Sequence, residues 1–371
     1  MNASSAFRQS WADNAKALGM LLVIIGHSQL VNEPWLIFIY GFHMPLFFLI
    51  SGYFGRVKEG ETFGVFVNKN AWQLLVPYVG FYLLTMPFSL PRLWRYCCFW
   101  SYHHPHDMES WKWFIIRPIL GFFSLKINDI SFCTNTPLWF LIALFLIRLL
   151  FFGTTRVSHS GRWLALTAVA SAGIFLLLEA IGATYLWCKF DVVFLAYPFY
   201  VMGHLLGRSK LIPRLSALRS WQSLFLAIVL FIIYNIVAQA VGADAGRVDI
   251  NKGIYGNNLV LFYLIALLGT WAMIQLCIAL PDYRIIKLLG GGTIVILACQ
   301  GPLLQLTEGS VRQISGLFPP GFVTSQLLAL ALSIFIWMLC LPLIRFFNTY
   351  FPTLMGKGRK KERKKKESTA D

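Results

Sequence analysis

Ten runs of mostly apolar residues, each long enough to cross about 30 Å of hydrocarbon once tilt is allowed, leave this chain few ways to fold. They lie near residues 15–32, 34–55, 70–91, 136–152, 163–182, 190–207, 221–241, 258–280, 285–306 and 321–346. A backbone in hydrocarbon has no water to bond with, so each run must close its own hydrogen bonds as an α-helix. The composition agrees. Of 371 residues, 57% are hydrophobic and 13% charged, and the mean hydropathy is +0.64, too apolar for one compact soluble core. The expected fold is all-α, a polytopic integral membrane helical bundle of about ten transmembrane helices. No small-residue cleavage pattern accompanies the first run, so it reads as a span rather than a signal peptide. The first two runs are separated only by "VNEP" and the eighth and ninth by "PDYRI", which makes both pairs tight helical hairpins. Nothing repeats internally in the way that the inverted halves of many secondary transporters do.

Charge in the connections sets an orientation. With the N-terminus inside, the short inner loops carry Arg56, Lys58 and Lys69, then Arg148, Arg156 and Arg162. They continue with Arg208, Lys210, Arg214 and Arg219, and then Arg284 and Lys287. The short outer loops carry Lys189, Arg312, and Arg247 and Lys252 offset by Asp244 and Asp249. This is the positive-inside pattern, and it predicts that both termini are cytoplasmic. The long segment from Arg92 to Asn135 holds five basic residues and reads as a long outer loop, a kind that crosses largely regardless of charge.

The formal charge of +16 is partly a property of the tail. In "KGRKKERKKKE", Lys357 to Glu367, eight basic residues face two acidic ones, a net of six positive charges. A basic run can bind nucleic acid phosphates, but no aromatic residue is interleaved and the run follows a membrane helix directly. The expected partner is therefore the anionic lipid of the inner leaflet, with no nucleic acid. The chain is divided accordingly into a transmembrane domain, residues 1–350, and a disordered basic cytoplasmic tail, residues 351–371.

The seven cysteines show no metal-ligand spacing. Four of them, Cys97, Cys98, Cys133 and Cys188, fall in segments placed outside, where a disulfide can form in an oxidising compartment. "SYHHPHD", with His103, His104, His106 and Asp107, can be read as a metal site. It is read more simply as a solvated polar loop, since neither CxxC nor HExxH supports it, and no metal is expected.

The first run, "DNAKALGMLLVIIGHSQL", is the informative one. Ionisable side chains in a bilayer are costly and face a cavity, a partner or a substrate path. Lys16 and His27 are eleven residues apart, almost three turns, so they share a helix face about 16 Å apart along the axis, with Asp13 one turn before Lys16. The antiparallel second run brings His43. Each histidine alone is read as a packed, hydrogen-bonded residue of a bundle. Together with a lysine at the inner end they form a polar track, which favours a functional reading.

These residues resemble the membrane acyltransferase-3 family. Lys16-x10-His27 matches its Arg/Lys-x10-His motif, with Asp13 as the acidic residue ahead of it. "FHMPLFFLISGYF", Phe42 to Phe54, resembles the second-helix motif of the fucose 4-O-acetylase-like branch. "PLWFLIALFL" from Pro137 and "AYPFYVMGHLLGR" from Ala196 are similar to later landmarks of that branch. Two positions depart from the family pattern. Gln73 stands where a second basic residue is usual before "LLVPY", and Gln300-Gly301-Pro302 replaces a His-x-Pro, so Gln300 cannot serve as a base.

The resemblance implies a membrane O-acyltransferase that moves an acyl group, most often acetyl, from cytoplasmic acyl-CoA to a carbohydrate or glycolipid hydroxyl. His27 is the expected base, since a neutral imidazole can accept the hydroxyl proton near pH 7. His43 is expected to orient it, share the proton or stabilise the oxyanion. Lys16, Arg56 and Lys69 are expected to hold the phosphates of acetyl-CoA, the acyl donor. Asp13 and Ser51 are carried as further site residues of the two motifs. The expected location is the bacterial inner membrane. The competing reading is a transporter or flippase for a lipid-linked glycan, with the histidines in a proton relay.

Overall fold

A computed structural model describes residues 3–103, 110–125, 133–183, 187–315 and 322–357. The chain runs through α1 (Ala3–His27), α2 (Glu33–Tyr40), α3 (His43–Phe54), α4 (Phe63–His103), α5 (Ser110–Ser124), α6 (Trp139–Val157) and α7 (Gly161–Ala180). It continues through α8 (Phe190–Arg208), α9 (Leu211–Leu215), α10 (Ser220–Ala245), α11 (Leu259–Ala279), α12 (Arg284–Gly291), α13 (Thr293–Ser315) and α14 (Phe322–Tyr350). Among the described residues there is no strand, only an isolated bridge between Asp249 and Ile254. The protein is an all-α helical bundle.

Among the described residues, eight helical spans are long and apolar enough to cross a membrane, or nine if the pair α12 and α13, bent by 81°, counts as one. The remaining expected span is α1. It is continuous, but Asp13, Asn14 and Lys16 make its first half too polar to qualify by composition. The bundle accommodates this by burying the helix. α1 packs against α11, α12, α13 and α14, and the Asn14 amide donates to the carbonyl of Cys277 at 3.2 Å. The second expected span is broken between α2 and α3 at Gly41 and Phe42. The Arg92–Asn135 segment is not simply a loop. α4 passes Pro77, Pro87 and Pro91 without ending, as membrane helices can when neighbours satisfy the freed groups, and α5 follows it. At the other end, Phe351–Lys357 forms turns with Met355 buried, and the basic run beyond it lies outside the described residues.

Helices sort by burial. In their most apolar windows, 67% of the α2–α3 span and 61% of α8 are buried, against 17% of α7 and of α10. On α10, Trp221, Phe225, Ile228, Ile232 and Ile236 are all exposed and recur every three or four residues, one face of a helix turned to lipid.

The tightest contact in the bundle joins α3 to α8. A side chain at Gly52 would overlap the Tyr200 carbonyl, and one at Gly203 would overlap the Leu49 carbonyl. Gly203 and Gly207 are four apart on α8, the small-xxx-small spacing that lets membrane helices approach backbone to backbone. Gly203→Val should therefore cost more than about 4 kcal/mol, enough to abolish folding. Gly153→Ala, with nothing within 4 Å, should be neutral or slightly stabilising. Thermal unfolding of both variants in detergent checks this; a well-folded Gly203→Val protein would refute the close contact.

Candidate functional site

Two histidines arrive at one cavity from opposite chain directions. His27 is the last residue of α1 and His43 the first of α3. Each ring places Nδ1 2.8 Å from the carbonyl four residues earlier, Val23 for His27 and Ile39 for His43. A carbonyl can only accept, so Nδ1 carries the proton and, in the neutral ring, Nε2 is the basic atom. Besides the ring of His43, the Ile39 carbonyl is reached by the backbone N–H of Phe42, at a long 3.4 Å.

Tyr40 sits between the rings. Its centroid is 6.4 Å from that of His27, nearly parallel at 29°, and 5.0 Å from that of His43, edge-on at 71°. The Arg247 guanidinium lies 4.9 Å from the Tyr40 ring centroid and 3.8 Å from the Glu33 carboxylate. This layering couples the loop after α10 to the start of α2.

The cavity measures about 570 Å³ and both histidines line it, with Tyr40, Asn135, Trp139 and Gln300. Asn135 joins its walls: its amide donates to Thr85 Oγ1 of α4 at 3.0 Å and to the Ala298 carbonyl of α13 at 2.8 Å. Next to it, burial pushes the Cys133 thiol up to about 12, so it stays protonated. The other described cysteines of the outer segments, Cys98 and Cys188, are free as well, while Cys97 lies outside the described side chains.

The remaining expected site residues lie elsewhere. Lys16 pairs with Asp13 at 2.6 Å, and Lys69 with Glu61 at 3.4 Å. Arg56 lines a second cavity of about 460 Å³, with Arg208, His159 and His204. Neither of these two cavities takes in Lys16 or Lys69. Ser51 is half-buried on α3. Gln73 accepts a hydrogen bond from Arg148 at 3.3 Å, so a cation does reach that position, from α6. The side chains of His103, His104, His106 and Asp107 lie outside the described residues, and among the described residues no group of three metal-ligating side chains forms. Sequence reasoning missed Tyr40 and Asn135. The "YGFH" stretch, with Tyr40 three residues before His43, was the available signal for the first; nothing local marks the second.

Fold and site together define a polytopic membrane helical bundle with an imidazole pair lining one cavity. Residues 9–345 match the model of the acyltransferase-3 family, described as an acyltransferase domain. The chain belongs to that family and is a multi-pass membrane acyltransferase. Among curated proteins and solved structures, none matches it.

Tyr40 meets both imidazoles through its ring. Tyr40→Phe should keep acyl transfer near the wild-type rate, while Tyr40→Ala should lower it by roughly ten-fold, because both imidazoles lose their wall. Turnover by purified variants decides, and equal losses in the two would shift the role to the hydroxyl.

Proposed function

We propose that this protein transfers an acetyl group from cytoplasmic acetyl-CoA to a hydroxyl of a carbohydrate or cell-envelope glycan in the bacterial inner membrane. The observation that carries the reading is the pair of histidines, each with Nδ1 tied to a carbonyl and both lining one cavity, in a chain of the acyltransferase-3 family.

In this reading the acceptor hydroxyl enters the cavity beside His27. Nε2 takes its proton as the oxygen attacks the thioester carbonyl carbon, forming the new C–O bond. His43, whose bare Nε2 accepts but cannot donate, orients the acceptor hydroxyl or shares the proton rather than facing the oxyanion. Collapse of the tetrahedral intermediate breaks the C–S bond, and the departing CoA sulfur receives the proton back from His27. The ester leaves with the acceptor, and both histidines return to their starting state. The donor's phosphates are held at the opposite end of the bundle by Lys16, Arg56 and Lys69, with Arg208 adding a second guanidinium to the Arg56 cavity. The pantetheine arm then spans the distance to His27, about 16 Å along α1. The basic tail rests on anionic lipid at the same face.

His27→Ala should lower kcat by about 10²–10⁴-fold, with the KM for acetyl-CoA little changed. Lys16→Ala should instead raise the KM for acetyl-CoA, with part of the rate recovered at high donor concentration. Acetyl transfer by purified, detergent-solubilised variants across donor concentrations separates the two, and a near-normal kcat in His27→Ala would leave that histidine a packing residue only.

Orientation is tested separately. Reporter fusions after Arg156 and at the C-terminal tail should read cytoplasmic, and one in the His103–Asp107 segment should read outside. The reverse pattern would put the histidine cavity on the donor's side of the membrane.

A further inference from the structure

A charge inside a helical bundle needs a counter-charge, and where the fold does not supply one a ligand can. Arg148 is such a charge. It stands midway along α6, and its partners among the described residues are all neutral. Its Nη1 donates to the Asn70 amide oxygen at 2.9 Å and to that of Gln73 at 3.3 Å, both on α4, and the Tyr200 hydroxyl of α8 stands beside the guanidinium. Lys16 and Lys69 instead have carboxylates, from Asp13 and Glu61. Asn70 is held in place for its part. It is 3% exposed, and its own N–H donates to the Phe66 carbonyl at 2.8 Å, which aims the amide oxygen at Arg148.

A guanidinium has five N–H groups. Two are committed to Asn70 and Gln73, and Tyr200 accounts for a third. The other two lie on the side of Nε and Nη2, and neither of those nitrogens is both buried and unpartnered. Arg148 is half-buried, so this edge stays open. A neutral oxygen there would satisfy an N–H and leave the charge as it was. An anion with two oxygens does both at once, in the bidentate geometry that a planar guanidinium offers to phosphate and carboxylate.

Position then selects between those two. Arg148 is seven residues from Thr155, which lines the basic cavity with Arg56 and Arg208, so the two share a helix face about 10 Å apart. In the other direction it is nine residues, about 14 Å along the axis, from Trp139, which lines the histidine cavity. In the acyl-transfer reading, a phosphate ester with a long arm is what bridges these two cavities. We propose that Arg148, held by Asn70, Gln73 and Tyr200, binds the diphosphate of the acyl donor. This rests on the acyl-transfer reading for the identity of the anion, and it divides the donor among separate groups. The adenosine 3′-phosphate lies toward Arg56 and Arg208, the diphosphate on Arg148, and the pantetheine arm runs on to His27. Lipid headgroups present the same phosphate-ester chemistry, and the test separates the two sources.

The test uses the full chain in nanodiscs of phosphatidylcholine, with CoA and dephospho-CoA as probes. Arg148→Gln keeps an amide N–H2 and removes the charge and the planar edge. Calorimetry should show both probes bound about ten- to hundred-fold more weakly by the variant. The factor should be the same for each, because both carry the diphosphate. Arg148→Lys, which keeps the charge but not the planar edge, should lose about three- to ten-fold, and it carries the comparison alone if the glutamine variant does not fold. CoA affinity within about two-fold of wild type in the folded variants, or a loss for CoA that dephospho-CoA does not share, would overturn the diphosphate site. An arginine that serves only packing would lower the ligand-free melting temperature on substitution and leave that affinity unchanged. If added phosphatidylglycerol raises the melting temperature of the wild type but not of Arg148→Gln, while both bind CoA equally, the anion is a lipid headgroup and the donor assignment falls. A wild type that binds CoA through Arg148 yet transfers no acetyl group refutes acetyl transfer and supports the site. One that transfers acetyl, with CoA bound equally by wild type and variants, refutes the site alone.

Discussion

In a dry helical bundle, what the Nδ1 of a histidine meets decides what its Nε2 can do. His27 and His43 both give Nδ1–H to a carbonyl one turn back, a bond each ring makes within its own stretch of chain. That one interaction fixes the tautomer, holds the ring plane and leaves a single basic atom. It also constrains the helices around it. α1 has to bring Val23 and His27 into register at its end. The second span breaks near Gly41, where the Ile39 carbonyl also meets the backbone N–H of Phe42.

The break is useful only if the helix after it is held still, and the contact between α3 and α8 does this. With Gly52 and Gly203 each facing a carbonyl of the other helix, neither can slide without collision. α3 then acts as a fixed strut of about 18 Å between two chemically different ends. His43 begins it at the imidazole cavity, and Arg56, just past its last residue, lines the basic cavity with Arg208. The separation between the imidazole pair and the cation cluster is thus one helix length, close to the distance between Lys16 and His27 on α1.

Much of the fold was legible because hydrocarbon permits so few solutions. Apolar length located the long spans, though not α5 or α9, and the eleven-residue spacing from Lys16 to His27 holds in a continuous α1. The polar first half of α1 shows why hydropathy by itself undercounts: Asn14 is paid for by carbonyls of the chain after residue 276, which no local window sees. For the candidate site, an ionisable residue in an apolar run announces itself, so both histidines stood out. Thr134, Asn135 and Asn251 did not, since they sit in polar connections where such residues are ordinary. Their place in the cavity wall is created by contacts such as that from Asn135 to Ala298, 163 residues away. The basic end was legible as charge but not as geometry. Lys16 and Asp13 were readable as one turn apart, whereas the company of Arg56 with Arg208 and His204 arises only when α3 and α8 are packed side by side.

The two departures from the family pattern have a common physical sense. At position 73 a glutamine stands where a cation is usual, yet Arg148 reaches it from α6, so that region keeps a positive charge on a different helix. At position 300 a glutamine stands in place of an imidazole, and there the change is chemical as well as positional. An amide keeps a donor and an acceptor but has no proton to exchange between pH 5 and 8. Among the described residues, that leaves His27 and His43 as the only imidazoles lining this cavity. Any base that the described walls of this cavity supply as an imidazole is then one of two rings whose Nδ1 atoms are already committed.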